Sequence, residues 1–532
     1  MFRKFAIALV LLLSIRLFAQ KSLIITHDDP FSNPNLSPSP DTLSTYAVQP
    51  DGSLLLVGSF PTGTSGGAGS GDANGEGISF IPTRRIAVSG DNRFVYASGA
   101  PTNVISAFSI DGNTGLLTLV PGSPFKTGAE ACNGMGLAAS PNGKAIYAFS
   151  ACGFSGPVPG GDPVVSAFSI GADGSLTKIG SDQPIGSPVD MAVSGDSKFL
   201  VIANGNVRGV PPLITVFSIA ADGSLTPVQG SPFQFETTGG SATVNTDCAN
   251  HVFHGVDNLT SSVEVFDIEP NGTLKPIAGS PFAVIPQAPT SAGMVASTLA
   301  EGGKVLVLAD LFGFAESFTI GPDGTLTQVG GQLPATGQQF LGQMTADSTG
   351  AFVYSRGENG IAALSLDASG NLANVPGSPF PSGSLTAFGT MAAYPAHGCA
   401  AATVNFGTFN AELVTAAPHS FELKGTFTLG AASNGISPAN DSVTLTAGNY
   451  TATIPAGSFR PISQGGFSFH GMVGEVRVEM TIVPSSTTTN KYNFEFVIPV
   501  DLSSAGSPVA ISLTIGDDAG SASVIPRNTT NK

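Results

Sequence analysis

Residues 223–233 read GSLTPVQGSPF, and near copies stand at 115–125 (GLLTLVPGSPF), 272–282 (GTLKPIAGSPF) and 370–380 (GNLANVPGSPF). Each begins on the glycine of a turn and runs through apolar residues to a Pro-Phe ending. Aligning on the residue ahead of the turn extends the set to seven segments, opening on Tyr46, Phe108, Phe168, Phe217, Phe266, Phe318 and Leu364. The fullest form is FSIAADGSLTPV (217–228). Asp-Gly or Asn-Gly between two alternating runs marks a β-hairpin, because both turn residues tolerate positive φ.

A second hairpin falls between successive copies. It is clearest in IAVSGDNRFVYAS (86–98), LAASPNGKAIYAFS (137–150), MAVSGDSKFLVIA (191–203) and MTADSTGAFVYSR (344–356). Weaker forms lie at 243–255, 294–308 and 390–402. These strands are the more apolar, as expected near a central axis. Seven hairpins of each kind make seven four-stranded units, which is a seven-bladed β-propeller. The series opens on an outer hairpin at Tyr46 and closes on an inner one near Met391. Those two halves are expected to join as one blade, sealing edges that an open array would expose. In GSPF the proline cannot donate to a ladder and should end the edge strand. The phenylalanine should pack between blades.

The repeat places the propeller at 42–405, after a signal peptide at 1–19 and a linker at 20–41. The opening MFRKFAIALVLLLSIRLFAQ has a basic start and an apolar run, as secretory signals do. No later stretch is long enough to span a bilayer. Beyond about Val404 the pattern changes to short alternating runs: 421–429, 442–447, 450–455, 467–473, 475–483, 492–500 and 509–516. Such runs with turn residues between them suggest a β-sandwich over 406–532. The fold class is therefore all-β: a seven-bladed β-propeller followed by a C-terminal β-sandwich.

Composition agrees. Of 532 residues 67 are glycine and 42% are apolar, while charged residues make up 11%. That is enough to bury a large core, with many tight turns. A net charge of −16 repels phosphate backbones and anionic lipid, so nucleic acid is not expected as a partner and membrane surfaces are poor ones. There is no HExxH helix, Walker loop or CxxC pair. No metal or cofactor is expected. Asp72, Asn74 and Glu76 echo a calcium loop faintly but lack its other ligands. Asp517-Asp518 end a strand and could bind a cation, but a solvated acidic turn is the commoner outcome. Cys132 and Cys152 fall opposite one another when the hairpin of 137–150 is counted outward, within disulfide reach. Cys248 and Cys399 lie in different repeats and are not expected to pair.

Repeats of this form resemble the lactonase family of seven-bladed propellers, which includes the 6-phosphogluconolactonase type and the YVTN-repeat surface proteins. Residues 86–125 carry the resemblance best, and it covers roughly 42–405. It implies the propeller and a site at one mouth of the ring, built from acidic, arginine and sometimes histidine residues. No catalytic motif of the family transfers residue by residue.

On a propeller, the loops between blades and those joining inner to outer hairpins share one face. The charges on those loops are Arg84, Arg85, Glu130, Asp190, Arg208, Glu236, Asp257, Asp310, Arg356 and Glu358. Two readings follow. One is an exported, periplasmic or cell-surface binding module for a protein, polysaccharide or small molecule. The other is a lactone hydrolase or isomerase, with Glu130 or Glu236 as base and Arg208 or Arg356 stabilising the oxyanion. The bland alternative for each residue is a solvated loop charge.

Overall fold

The computed structural model describes residues 21–28, 40–65, 84–99, 103–128, 135–150, 163–205, 213–235, 240–257, 262–284, 294–310, 312–338, 341–357, 359–382, 390–396, 404–417, 420–430, 433, 436, 438–439, 441–454, 458–473, 476–498, 507–516 and 518–528. Among them, seven antiparallel sheets form the blades of a ring and two further sheets form the C-terminal part. Blades two to seven follow the chain in order, at 86–119, 135–184, 188–227, 240–276, 294–334 and 341–374. In each, the first strand in sequence is innermost and the fourth is outermost. Apolar side chains from adjacent blades interlock: Val201, Val216, Val244 and Val252 pack between blades four and five, and Leu306 with Val263 between five and six.

Blade one closes the ring, but not as two hairpins. From outside inward its strands are Leu54–Ser65, Pro40–Val48, Leu23–Asp28 and Thr390–Tyr394. Ile25 faces Thr45 on one side and Ala392 on the other. The segment read as linker thus supplies a fully buried strand, and of the hairpin expected at 390–402 only the first strand is formed among the described residues. LIITHD carries no turn of its own, because its inner neighbour lies more than 360 residues away. A pattern search over adjacent residues has nothing there to detect.

The repeated GSPF has a defined local role. At Gly122, Gly230, Gly279 and Gly377 φ lies between 85 and 89°, where a side chain is strained. The next serine turns its hydroxyl to accept the third-strand amide of Ala107, Val216, Val265 or Ala363, at 2.9–3.0 Å. The outermost strand does stop before this turn. The phenylalanine then returns to the same blade, with Phe125 opposite Ile105 and Phe233 opposite Ile214. Phe125, Phe233, Phe282 and Phe380 each sit half-buried against an inter-blade cluster.

The C-terminal part is a sandwich of a five-stranded and a seven-stranded sheet. One core cluster joins them, with Leu423, Phe427 and Phe496 from one sheet against Leu445, Ile511 and Leu513 from the other. All seven expected strands are present, and Thr408–Ala417 and Asp518–Val524 add to them. Asp518 is not a solvated turn residue. It opens a strand, is fully buried and accepts the Ser433 hydroxyl at 2.8 Å. Asp517 lies outside the described residues, as do Asp72, Asn74, Glu76, Cys132 and Cys152. Cys248 is disulfide-bonded, to a partner outside the described residues.

Candidate functional site

In every blade the innermost strand starts, and the second strand ends, on one face of the ring. Arg84 and Arg85 immediately precede the innermost strand of blade two, Ile86–Val88. Arg84 is half-buried and reaches across the hub. Its Nη1 donates to the carbonyl oxygens of Met191 (3.1 Å) and Val244 (2.8 Å), and its Nη2 to Asn245 Oδ1 (2.6 Å). Asp190 Oδ2 lies 3.4 Å from the same guanidinium and also accepts the Val244 amide at 2.9 Å. One side chain thereby ties blades two, four and five. Asn245 continues the network to Ser297 of blade six, whose hydroxyl donates back to Thr243.

A second cationic group sits between blades seven and one. Arg356, at the end of strand Phe352–Gly357, is fully buried with Nη1 3.6 Å from Asp28 Oδ1. Asp28 also accepts the hydroxyls of Thr26 (3.0 Å) and Ser44. Burial pushes the Asp28 carboxyl up and the Arg356 guanidinium down, and each charge partly restores the other. Arg85 is buried and close enough to Arg356 for its charge to lower Arg356 further.

Of the residues singled out from sequence, Arg84 and Asp190 are brought together, and so are Arg85 and Arg356. Asp310 instead caps its own turn, accepting the amides of Phe312 and Phe314 at 2.9 Å each. Asp257 ends a strand with its backbone opposite Gly240, and its side chain is outside the described set. Glu130, Arg208, Glu236 and Glu358 lie outside the described residues. Among the described residues no group of His, Cys, Asp or Glu is placed to hold a metal ion.

Several buried polar residues were not anticipated. Asp28 lies in the segment whose pattern reads as linker. His27 Nε2 lies 3.0 Å from Asp41, which also accepts the Thr64 hydroxyl at 3.1 Å. In blade five, His254 Nε2 is 2.8 Å from Ser241 Oγ. The available signal was polar residues breaking an apolar strand, as in VFHGVD beside FLVIAN. In blade six Glu316 is 4% exposed and accepts the amides of Gln328 (3.0 Å) and Gln332.

Burial pushes the Glu316 carboxyl up to about 7 from its ordinary 4.5. The folded chain therefore keeps a proton that the unfolded chain releases, and stability falls as pH rises through that window. Glu316→Gln should raise stability at pH 8 by ~2–3 kcal/mol, with the gain vanishing near pH 4. Urea titrations at both pH values check this, and an equal effect at both would refute it.

Residues 122–254 match the family model described as Lactonase, 7-bladed beta-propeller. No curated protein matches the chain. Among solved structures, a candidate 6-phosphogluconolactonase from Bacteroides uniformis aligns with TM-score 0.52 at 16% identity, over 70% of this chain and 100% of that one. The periplasmic gluconolactonase of Pseudomonas aeruginosa gives TM-score 0.51 at 16% identity, over 66% and 94%. A candidate 6-phosphogluconolactonase from Bacteroides fragilis gives 0.50 at 18%, over 70% and 98%. At these identities the likeness is one of fold. With the seven closed blades and a match that runs through blades three and four into blade five, the chain carries a lactonase-like seven-bladed β-propeller.

Proposed function

We propose that the arginine-bearing mouth binds a small anionic molecule of the sugar-acid or lactone class, and that the protein works as an exported binding module. The observation that supports this is the gathering of Arg84, Arg85 and Arg356 at one face of a chain whose net charge is −16. The Met191 and Val244 carbonyls hold the Arg84 guanidinium in place and Asp190 offsets part of its charge, while Arg85 adds a second cationic group beside Arg356. Guanidinium groups suit carboxylates because their forked donors match both oxygens. Export is supported by the basic-then-apolar start of the sequence. The described residues include no helix long and apolar enough to cross a membrane.

Calorimetric titration with gluconate, glucuronate and a phosphorylated sugar acid tests this reading. Binding should weaken with salt and fall at least about tenfold in Arg84→Ala, as for loss of a charged hydrogen bond. Failure of every one of these anions to bind, or binding indifferent to Arg84→Ala, would overturn it. The family match favours a second reading, lactone hydrolysis at the same mouth. Acid release on adding sugar or acyl lactones, abolished in Glu130→Ala, Glu236→Ala, Arg208→Ala or Arg356→Ala, would establish it.

A further inference from the structure

The geometry points to a nucleophilic acyl-transfer site in blade five, in which Ser241 attacks, His254 takes its proton and Glu264 positions the imidazole. The three residues come from three adjacent strands. Ser241 stands at the start of the innermost strand, Gly240–Thr246, where the register shifts between Ser241 and Thr243. Such a bulge re-aims a side chain. His254 lies in the second strand, His251–Asp257, and Glu264 in the third, Ser262–Ile268. His254 and Glu264 are direct cross-strand partners, so their side chains leave the same face side by side.

The distances set out the roles. His254 Nε2 is 2.8 Å from Ser241 Oγ, and Nδ1 is 3.6 Å from Glu264 Oε2. With the ring proton on Nδ1, Nε2 accepts the serine proton, while the Glu264 carboxylate lies beyond hydrogen-bond length from Nδ1 and acts on the imidazole through its charge. The Phe235 ring meets the imidazole edge-on at 4.5 Å and restricts its rotation. A hydrogen-bonded nucleophile and base, with an acid behind the base, is recognised by geometry and not by sequence order.

Packing alone does not call for His254. The position of His254 is Ala97, Ala148, Ile202 and Leu308 in blades two, three, four and six. His254 is fully buried, so at this position blade five meets a desolvation cost that those four aliphatic counterparts avoid, whereas the position of Glu264 is polar in the same blades and is the buried Glu316 in blade six. Departures of this kind concentrate at functional sites. Ser241 keeps 7% exposure and lies at the end of the blade that borders the mouth.

The substrate class is a carboxylic ester or lactone. As Ser241 Oγ bonds to the carbonyl carbon, its proton passes to His254 Nε2. The C–O bond to the leaving oxygen then breaks, and that oxygen takes the proton from His254. Water next gives a proton to His254 and attacks the acyl carbon, releasing the acid and restoring Ser241. With a lactone the leaving oxygen stays tethered, and the product is a hydroxy acid.

A fluorophosphonate probe tests the site in the full-length protein, because Oγ attack on phosphorus expels fluoride and leaves a stable adduct. Peptide mapping of the unsubstituted protein should place one adduct on Ser241. Ser241→Ala should abolish it, and His254→Ala should slow it by on the order of 10³-fold. Glu264→Asp should recover labelling that Glu264→Gln does not, since Asp keeps the charge and Gln keeps the shape. No adduct on Ser241, an unchanged rate in His254→Ala, or Gln restoring the rate better than Asp would each overturn the proposal. Sugar-acid binding through Arg84 is read independently of this labelling.

Discussion

Removing residues 21–28 opens the ring. Strand Leu23–Asp28 is the middle of blade one, and without it Thr390–Tyr394 loses its partner while Pro40–Val48 loses its inner neighbour. Leu23, Ile24 and Ile25 are fully buried, and they pack in two different inter-blade clusters. Burial of three such side chains contributes roughly 5–9 kcal/mol at 1.5–3 kcal/mol each, before any ladder hydrogen bond is counted. That is comparable with the whole stability of a typical domain, about 5–15 kcal/mol. The truncated protein is expected to lose its cooperative transition in calorimetry and to become protease-sensitive in blades one and seven. A truncated chain melting at the temperature of the intact one would show that closure does not depend on this strand. Deleting 42–57 should also destabilise the ring, because it removes most of the next strand outward.

The second large effect concerns the Asp28–Arg356 pair. Replacing Asp28 with Ala takes the carboxylate away from a guanidinium that is fully buried and already near Arg85. Removing one member of a buried pair costs about 3–5 kcal/mol, because the remaining charge keeps its desolvation penalty. The double substitution Asp28→Ala with Arg356→Met should recover much of that loss, since no buried charge is then left there. Denaturant unfolding of the two single variants and the double variant gives the coupling directly. A double variant as unstable as the sum of the singles would mean that the two groups do not act as a pair.

Both effects arise at the one blade that the repeat pattern described incompletely. Six blades were readable because each hairpin carries its own turn, such as Asp173-Gly174 or Asn271-Gly272, within about a dozen residues of both strands. In the turn of blade three, Asp173 accepts the amide and hydroxyl of Ser175, and Gly174 takes φ 85°. The sandwich strands were readable for the same reason: alternation alone marks FELKGTFTL, with Phe421, Leu423 and Phe427 buried. The site was less legible. Arg84, Arg85, Asp190 and Arg356 were found by counting charges on one face, but counting could not say that Arg84 would cross to blades four and five. Ser241, His254 and Glu264 offered no spacing motif at all, and Asp310 was grouped with the mouth although its carboxylate serves its own turn.

The amino-acid order by itself determined the number of blades and the appended sandwich. These follow from turn chemistry and period-two alternation, which act over a few residues. Only the tertiary structure decided which strand seals the ring, which arginine spans the hub and which serine meets a histidine. Those outcomes depend on contacts such as Arg84 to Asn245, 161 residues apart. The energy of such a contact exists only once the closed wheel has brought distant strands to the same axis.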